Sequence, residues 1–331
     1  MHPFAIASPT DPDAAVALHG GDSSVAFIAG GTDLIGLMKD RAAMPARLLD
    51  INALTEIAGI ETLPDGGLRL GALARMSDVA ADPRVRQHYP VVAEALLLSA
   101  SGQLRNMASI AGNIMQRTRC AYFRDDDAPP CNKRHPGSGC SALHGLNRNH
   151  AIFGWSDACV AVNPSDLAVA LATLDATVRV HGRNREYTIP FADFHVLPAD
   201  APEQDTILGS GDLIVAVDIP ASANAGASHY LKVRDRQSYE FAVVSVAAVV
   251  TLEGERIVST RLAMGGVAHR PWRILAAEKA LKGVALSDDA ALKRAIATAF
   301  VDARPLTHNA FKVELAQRAV LRALQTAGAR A

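Results

Sequence analysis

Short apolar runs alternate with glycine-bearing breaks along most of the chain, and their spacing predicts mixed helix and strand. Val25-Ala26-Phe27-Ile28 reads as a strand, Ala29-Gly30-Gly31-Thr32 interrupts it, and Asp33 to Met38 resumes with helical spacing. Leu48 to Ile51 is a second short strand, so the first unit reads as a small α/β layer. Gly66-Gly67 opens a turn before a strand at Leu68–Leu73, and an Ala- and Leu-rich helix is expected at Val91–Ser99. Strands are expected again at 176–181 and 213–219. Pro220 and the small residues 221–227 then predict a linker. The last third holds strands near 228–234, 241–252 and 256–265, followed by two or three amphipathic helices. The clearest spans 309–327, with Phe311, Leu315, Ala319, Val320 and Leu324 in register. No internal repeat is visible. The longest apolar stretch, Phe241 to Leu252, is a dozen residues, against the roughly 20 that a membrane helix needs. It reads as a buried strand, and no membrane insertion is expected.

Residues 117–150 break this rhythm. Arginines, Asp125 to Asp127, prolines and glycines crowd the stretch with little periodicity. A structureless loop of that length is uncommon in a compact domain, so the segment is expected to be ordered by a ligand. All four cysteines of the chain fall between Cys120 and Cys159, with the spacing Cys120-x10-Cys131-x8-Cys140-x18-Cys159. Four soft thiolates suit zinc or iron–sulfur iron, with Arg119, Lys133 and Arg134 available to offset their charge. Two disulfides are the competing reading, disfavoured because Met1 to Ala5 begins no basic-then-apolar signal segment. His269 to Arg273 reads as a turn into a helix without chemistry.

Charge adds an exclusion. With Lys plus Arg 33 and Asp plus Glu 34, the net charge is −1, and no global field favours nucleic acid or an anionic membrane. At 331 residues the chain is long enough for two or three folding units.

Two glycine-bearing segments are candidate anion cradles. Residues 29–33 join a strand to a helix start, where amides can converge on a pyrophosphate; an ordinary turn capped by Thr32 or Asp33 is the plainer alternative. The segment matches neither the Rossmann nor the Walker A pattern. Asn106 to Ile114 offers amides, a hydroxyl and a close-approach glycine, or simply a turn between a helix and a strand. Asn163-Pro164-Ser165-Asp166 opens an apolar run: Asp166 can accept from ribose or ribityl hydroxyls, or the set can cap a helix. Lys232 in Lys232-Val233-Arg234-Asp235-Arg236 can bring positive charge to a reduced flavin, or be a solvated strand-edge lysine. No Ser/His/Asp-type constellation and no His-rich metal set is present.

Taken together, these motifs resemble the FAD-binding subunit of the xanthine dehydrogenase family. Within it they are most similar to the medium subunit of bacterial three-subunit aldehyde oxidoreductases. The resemblance runs through Phe27-Ile28-Ala29-Gly30-Gly31-Thr32-Asp33-Leu34, Ser101 to Asn106, Ala111-Gly112-Asn113 and Arg117-Thr118-Arg119-Cys120. It continues through Pro130 to Arg134, Pro136 to Cys140, Pro164-Ser165-Asp166, Lys232 to Arg236 and Gly265 to His269.

The resemblance implies an α+β chain. A vanillyl-alcohol-oxidase/PCMH-type FAD domain, 1–222, divides into α/β subdomains at about 1–56 and 57–222, with the cysteine insertion at 117–150. A C-terminal α+β domain, 223–331, carries a small antiparallel sheet with helices. It implies FAD contacts from Phe27, Ile28, Ala29, Gly30, Gly31, Thr32, Asp33 and Leu34 on the pyrophosphate and adenosine side, and from Asn106, Ser109, Gly112 and Asn113 on the second clamp. Asp166 is then expected at the ribityl chain, Lys232 near the isoalloxazine, and a [4Fe–4S] cluster on Cys120, Cys131, Cys140 and Cys159. Two departures stand out. Ala111 replaces a glycine of the family's Thr-x-Gly-Gly-Asn, and Ser99 aligns near the aromatic that covers the flavin in some relatives.

The implied function is electron transfer in a heterotrimer. A molybdopterin-binding large subunit oxidises an aldehyde or N-heterocycle, a [2Fe–2S] small subunit relays electrons, and this chain delivers them through FAD to a small-molecule or protein acceptor. The expected compartment is the cytoplasm, or the periplasm by co-export with a signal-bearing partner. A stand-alone FAD reductase or oxidase of the same fold, and a flavin-free interaction module with structural zinc, are the alternatives.

Overall fold

The computed structural model describes residues 1–331 apart from 126, 128, 200 and 222–224. The chain builds three sheets in sequence. The first is parallel and three-stranded, in the order Ala5–Ala7, Arg47–Asp50, Val25–Ile28. Parallel neighbours need crossovers, and the helices Pro12–His19 and Leu34–Lys39 supply them. Local chemistry fixes the first of these helices. Asp11 accepts the Ala14 N–H, Pro12 sits in the first turn, and Gly20 ends the helix at φ 61°.

The second sheet is antiparallel and five-stranded: Ile60–Thr62, Leu68–Gly71, Leu213–Ile219, Thr177–His181, Glu186–Pro190. The helices Met76–Ala81, Pro90–Leu98 and Asp166–Ala172 complete this unit, and their apolar residues share one core with the sheet.

The third sheet is antiparallel and four-stranded, ordered Trp272–Arg273, Arg256–Gly265, Val244–Glu253, Ser228–Val233. The expected turn at 269–273 therefore includes a short edge strand. Ala247, Val249, Ala263 and Tyr230 pack into the core of the second unit. Val244, Val246, Ala248 and Val250 face the other way, into a core completed by the helices Leu275–Leu281, Asp289–Ala297 and Phe311–Gly328. A strand covered on both faces needs no polar alternation, which explains the unbroken apolar run. The expected linker falls partly on 222–224, outside the described residues, while Ala225 is already buried. No helix among the described residues is long and apolar enough to cross a membrane.

The 117–150 segment contains two single-turn helices, Ala121–Arg124 and Ser141–His144. Its own small core, Phe123 and Cys131, packs on Leu37 of the helix Leu34–Lys39. The insertion thus sits beside the first glycine segment.

Candidate functional site

Two adjoining cavities, of about 360 and 340 Å³, share Thr32, Asp33 and Gly112 in their walls. Together they fall within the size range of small-molecule and cofactor sites. The first is lined by residues 26–34, by Ser109, Ala111 and Gly112, and by apolar side chains such as Leu73 and Ile214. The second is lined by Asn113, Asp166 and Lys232, with Tyr239 and Phe241 at one side.

The glycine segment is held against residues 106–112 by its backbone. A Cβ on Gly30 would stand 1.8 Å from the Met107 carbonyl oxygen, so only glycine fits. Gly31 adopts φ 68°, which also favours glycine. Arg75 donates to that Met107 oxygen at 2.5 Å and to Asn52 Oδ1 at 2.9 Å, and Asn52 Nδ2 donates to Ala29 O at 3.0 Å. The Arg75–Asn52 brace carried no signal in the sequence. Among the described residues, no protein group accepts from the N–H of Gly30, Gly31, Thr32, Asp33 or Leu34, although all five residues line the cavity. Unpaired amides in one concave wall are an anion site in waiting.

The second segment is less generous than its sequence suggests. It forms two short helices, Gly102–Met107 and Ile110–Ile114, instead of a turn into a strand. The N–H groups of Ile110 and Ala111 donate to Ala74 O and Ala72 O, and Gly112 N–H donates to its cap, Ser109 Oγ, at 3.2 Å. Asn106 is exposed and lines neither cavity. Asn113 is buried, accepting from Ser165 Oγ at 2.6 Å and turning its amide to Met76 Sδ.

Asp33 turns toward the insertion. Its carboxylate accepts from Arg117 N–H at 2.8 Å, Arg124 at 2.7 Å and Arg119. Burial raises its pKa, against the pull of Arg124 and the Arg117 amide. The side chain thus ties the glycine segment to the insertion.

Asp166 begins the helix Asp166–Ala172 with Ser165 as its cap, so the capping reading holds. Asp166 also accepts from Tyr230 OH at 2.6 Å, Ser99 Oγ at 2.8 Å and Lys232 Nζ at 2.7 Å. Lys232 is not a solvated edge lysine, since its side chain is 1% exposed. Burying this pair is tolerable only because each charge meets the other and further hydrogen-bond partners.

The four cysteines converge on a third, small cavity, also lined by Lys133. All four are free thiols, which removes the disulfide reading. Cys131 and Cys140 are brought opposite each other by an antiparallel bridge, and Cys159 pairs with Ser156. Cys140 and Cys159 interact closely, which lowers the pKa of Cys140 and raises that of Cys159. Burial pushes Cys120 up to about 11. Among the described residues, no three or more His, Cys, Asp or Glu side chains are drawn together as around one metal ion.

Of the expected charge-offsetting residues, Lys133 lies beside the thiols and lowers the pKa of Cys159. Its ammonium also reaches Asp205 at 2.7 Å. Arg119 and Arg134 are engaged elsewhere, on Asp33 and on the carbonyls of Phe123 and Asp125. His150, unmarked in the sequence, brings Nε2 to 3.2 Å from Cys120 Sγ.

A parallel three-stranded unit, an antiparallel five-stranded unit and adjoining cavities with unpaired amides in one wall suit a protein that binds a large ligand carrying an anionic group. Comparison with known proteins makes this specific. Residues 2–222 match the FAD binding domain in molybdopterin dehydrogenase, and residues 229–327 match the CO dehydrogenase flavoprotein C-terminal domain. The chain belongs to this family of FAD-binding subunits of molybdenum hydroxylases, and it is an oxidoreductase component.

It is 49% identical to the aldehyde oxidoreductase FAD-binding subunit PaoB of Escherichia coli (strain K12), over 92% of each chain. It is 27% identical to the carbon monoxide dehydrogenase medium chain of Hydrogenophaga pseudoflava, over 99% of this chain and 98% of that one. The solved carbon monoxide dehydrogenase from Hydrogenophaga pseudoflava superposes with a TM-score of 0.76 at 26% identity, over 99% and 98% of the two chains.

Proposed function

We propose that this chain is the electron-transfer subunit of a molybdenum-dependent aldehyde oxidoreductase, carrying a [4Fe–4S] cluster on Cys120, Cys131, Cys140 and Cys159 beside its FAD. A molybdopterin-binding large subunit and a [2Fe–2S] small subunit complete the heterotrimer. The 49% identity to an aldehyde oxidoreductase subunit supports aldehyde oxidation over other chemistry in the partner. One observation carries the cluster. Four free thiols, drawn from 40 residues of chain, wall a single cavity with a buried lysine beside them. A cluster spreads its thiolates over four irons, one on each. It therefore needs no tight knot of ligands such as a single zinc would require.

The FAD domain comprises residues 1–222 and the C-terminal domain 223–331, with the insertion at 117–150. The unpaired amides of Gly30 to Leu34 take the diphosphate, while Phe27, Ile28 and Ala29 wall the adenosine side. Ser109 and Gly112 close the second clamp, and Asn113 fixes its shape through Ser165. Asp166 lines the ribityl portion and holds Lys232 toward the ring. Tyr239 and Phe241 are the aromatics available there, since Ser99 leaves no aromatic at its position. Bound FAD supplies the ability to take electrons singly and deliver them in pairs. The protein binds, orients and excludes water.

The test is the visible spectrum and metal content of the full chain isolated with its partners. Flavin bands over a broad iron–sulfur absorption are expected, with the latter and the iron lost in Cys131→Ser and the flavin retained. Flavin without iron overturns the cluster, and a colourless chain overturns the whole reading.

A further inference from the structure

The 147–151 segment is fastened from a distant part of the chain. His308 N–H donates to Asn147 Oδ1 at 2.9 Å, and Asn309 Nδ2 donates to the carbonyls of His150 and Ala151 at 3.1 Å each. Lys312 Nζ donates to His150 O at 3.0 Å and to Gly266 O at 2.8 Å. Lys312 and Asn309 are both fully buried. The His150 main chain therefore cannot drift, and its ring is delivered to one place, with Nε2 at 3.2 Å from Cys120 Sγ.

The other ring nitrogen settles the direction of that contact. His150 is 6% exposed, and among the described residues its Nδ1 has no hydrogen-bond partner. A proton on Nδ1 would be a buried donor without an acceptor, which is unfavourable. A bare Nδ1 lone pair is the cheaper state, so the ring proton belongs on Nε2, facing the sulfur. The Cys120 sulfur then faces a positioned N–H donor.

We infer that His150 donates an Nε2–H···Sγ hydrogen bond to Cys120, and that this bond raises the reduction potential of the [4Fe–4S] cluster. The inference rests on the cluster assignment made above. Adding an electron increases the negative charge on the ligating sulfurs, so a donor aimed at one of them favours the reduced cluster. Hydrogen bonds to sulfur are among the levers that set such potentials. Asn309 and Lys312 act as positioning residues by holding His150, which links the start of the last helix to the tuning of a centre on the insertion.

The experiment is an EPR-monitored redox titration of the full chain in its complex, comparing wild type with His150→Phe and His150→Gln. Phe removes the donor while keeping a flat ring; Gln restores an N–H. The expected result is an unchanged iron and sulfide content, a more negative cluster midpoint in His150→Phe, and a smaller displacement in His150→Gln. Equal midpoints in all three overturn the inference while leaving the cluster assignment standing. A wild-type chain without iron overturns the assignment itself. If His150→Phe fails to fold or loses the cluster, pulsed EPR of reduced wild type labelled with 15N-histidine decides. Nitrogen coupling to the cluster upholds the bond, and its absence overturns it.

Discussion

Lys232→Met tests the buried ion pair at the wall of the second cavity. The ammonium lies 2.7 Å from Asp166 Oδ2, and the two side chains are 1% and 5% exposed. Methionine keeps the length of the stem and removes the charge. Asp166 is then left as a buried carboxylate with two hydroxyl donors, Tyr230 OH and Ser99 Oγ. Removing one partner of a buried pair costs about 3–5 kcal/mol, because the remaining charge is uncompensated. The two hydroxyls keep part of that solvation, which places the expected loss near the lower end, about 3 kcal/mol. The double variant Lys232→Met/Asp166→Asn removes both charges and leaves a carboxamide that still accepts from Tyr230. It should recover more than half of the loss. Urea denaturation followed by far-ultraviolet circular dichroism, run on wild type, both single variants and the double variant, closes the cycle. A single-variant cost below about 1 kcal/mol, or a double variant as unstable as the sum of the singles, refutes the reasoning.

Gly30→Ala pushes a methyl into the Met107 carbonyl, which Arg75 already holds in place. Overpacking of about 1–3 kcal/mol at the cofactor wall lowers FAD affinity roughly tenfold or more. Flavin fluorescence titration measures it, with Gly102→Ala, whose added Cβ meets nothing, as the unaffected control. Asp205 gives a pH test. Burial works against its carboxylate, but Lys133 and Arg117 outweigh burial and hold its pKa below the ordinary 3.8. The folded state therefore binds that proton less readily than the unfolded chain. The stabilisation is present above pH 3.8 and is lost as pH falls through the lower folded value. Asp205→Asn is expected to be less stable than wild type near neutrality and to converge on it below that range, as read from denaturation midpoints across pH. Cys131→Ser, in the spectroscopic comparison above, is expected to cost iron without costing flavin.

The longer strands, the helices Leu34–Lys39 and Pro90–Leu98 and the closing helix were legible because their causes are local, whereas the strands Ala5–Ala7, Ile60–Thr62 and Glu186–Pro190 were too short to stand out. Ser165 before Asp166 satisfies a helix end within a few residues, and such a signal survives in one dimension; Asp11, Pro12 and Gly20 bound the helix Pro12–His19 in the same local way, though that helix was not expected. The 106–114 segment misled for the same local reason, since its serine and glycine suit an open turn as well as a capped helix. What anchors its second helix is the turn after the strand Leu68–Gly71, whose Ala72 and Ala74 carbonyls take the Ala111 and Ile110 amides.

The sequence by itself determined that this chain alternates short strands and helices, closes with amphipathic helices and clusters its four thiols. It also carried enough motifs to reveal a family. Only the tertiary structure decided which donors remain free. The amides of residues 30–34 stay unpaired while those of 110–112 are taken. Asp33 and Asp166 turn to arginines, a lysine and hydroxyls, and His150 reaches Cys120 under the hold of Lys312. The physical reason is range. Periodicity and capping act over a turn or two of chain, whereas hydrogen-bond partners in a buried site are assigned by whichever layers packing brings together.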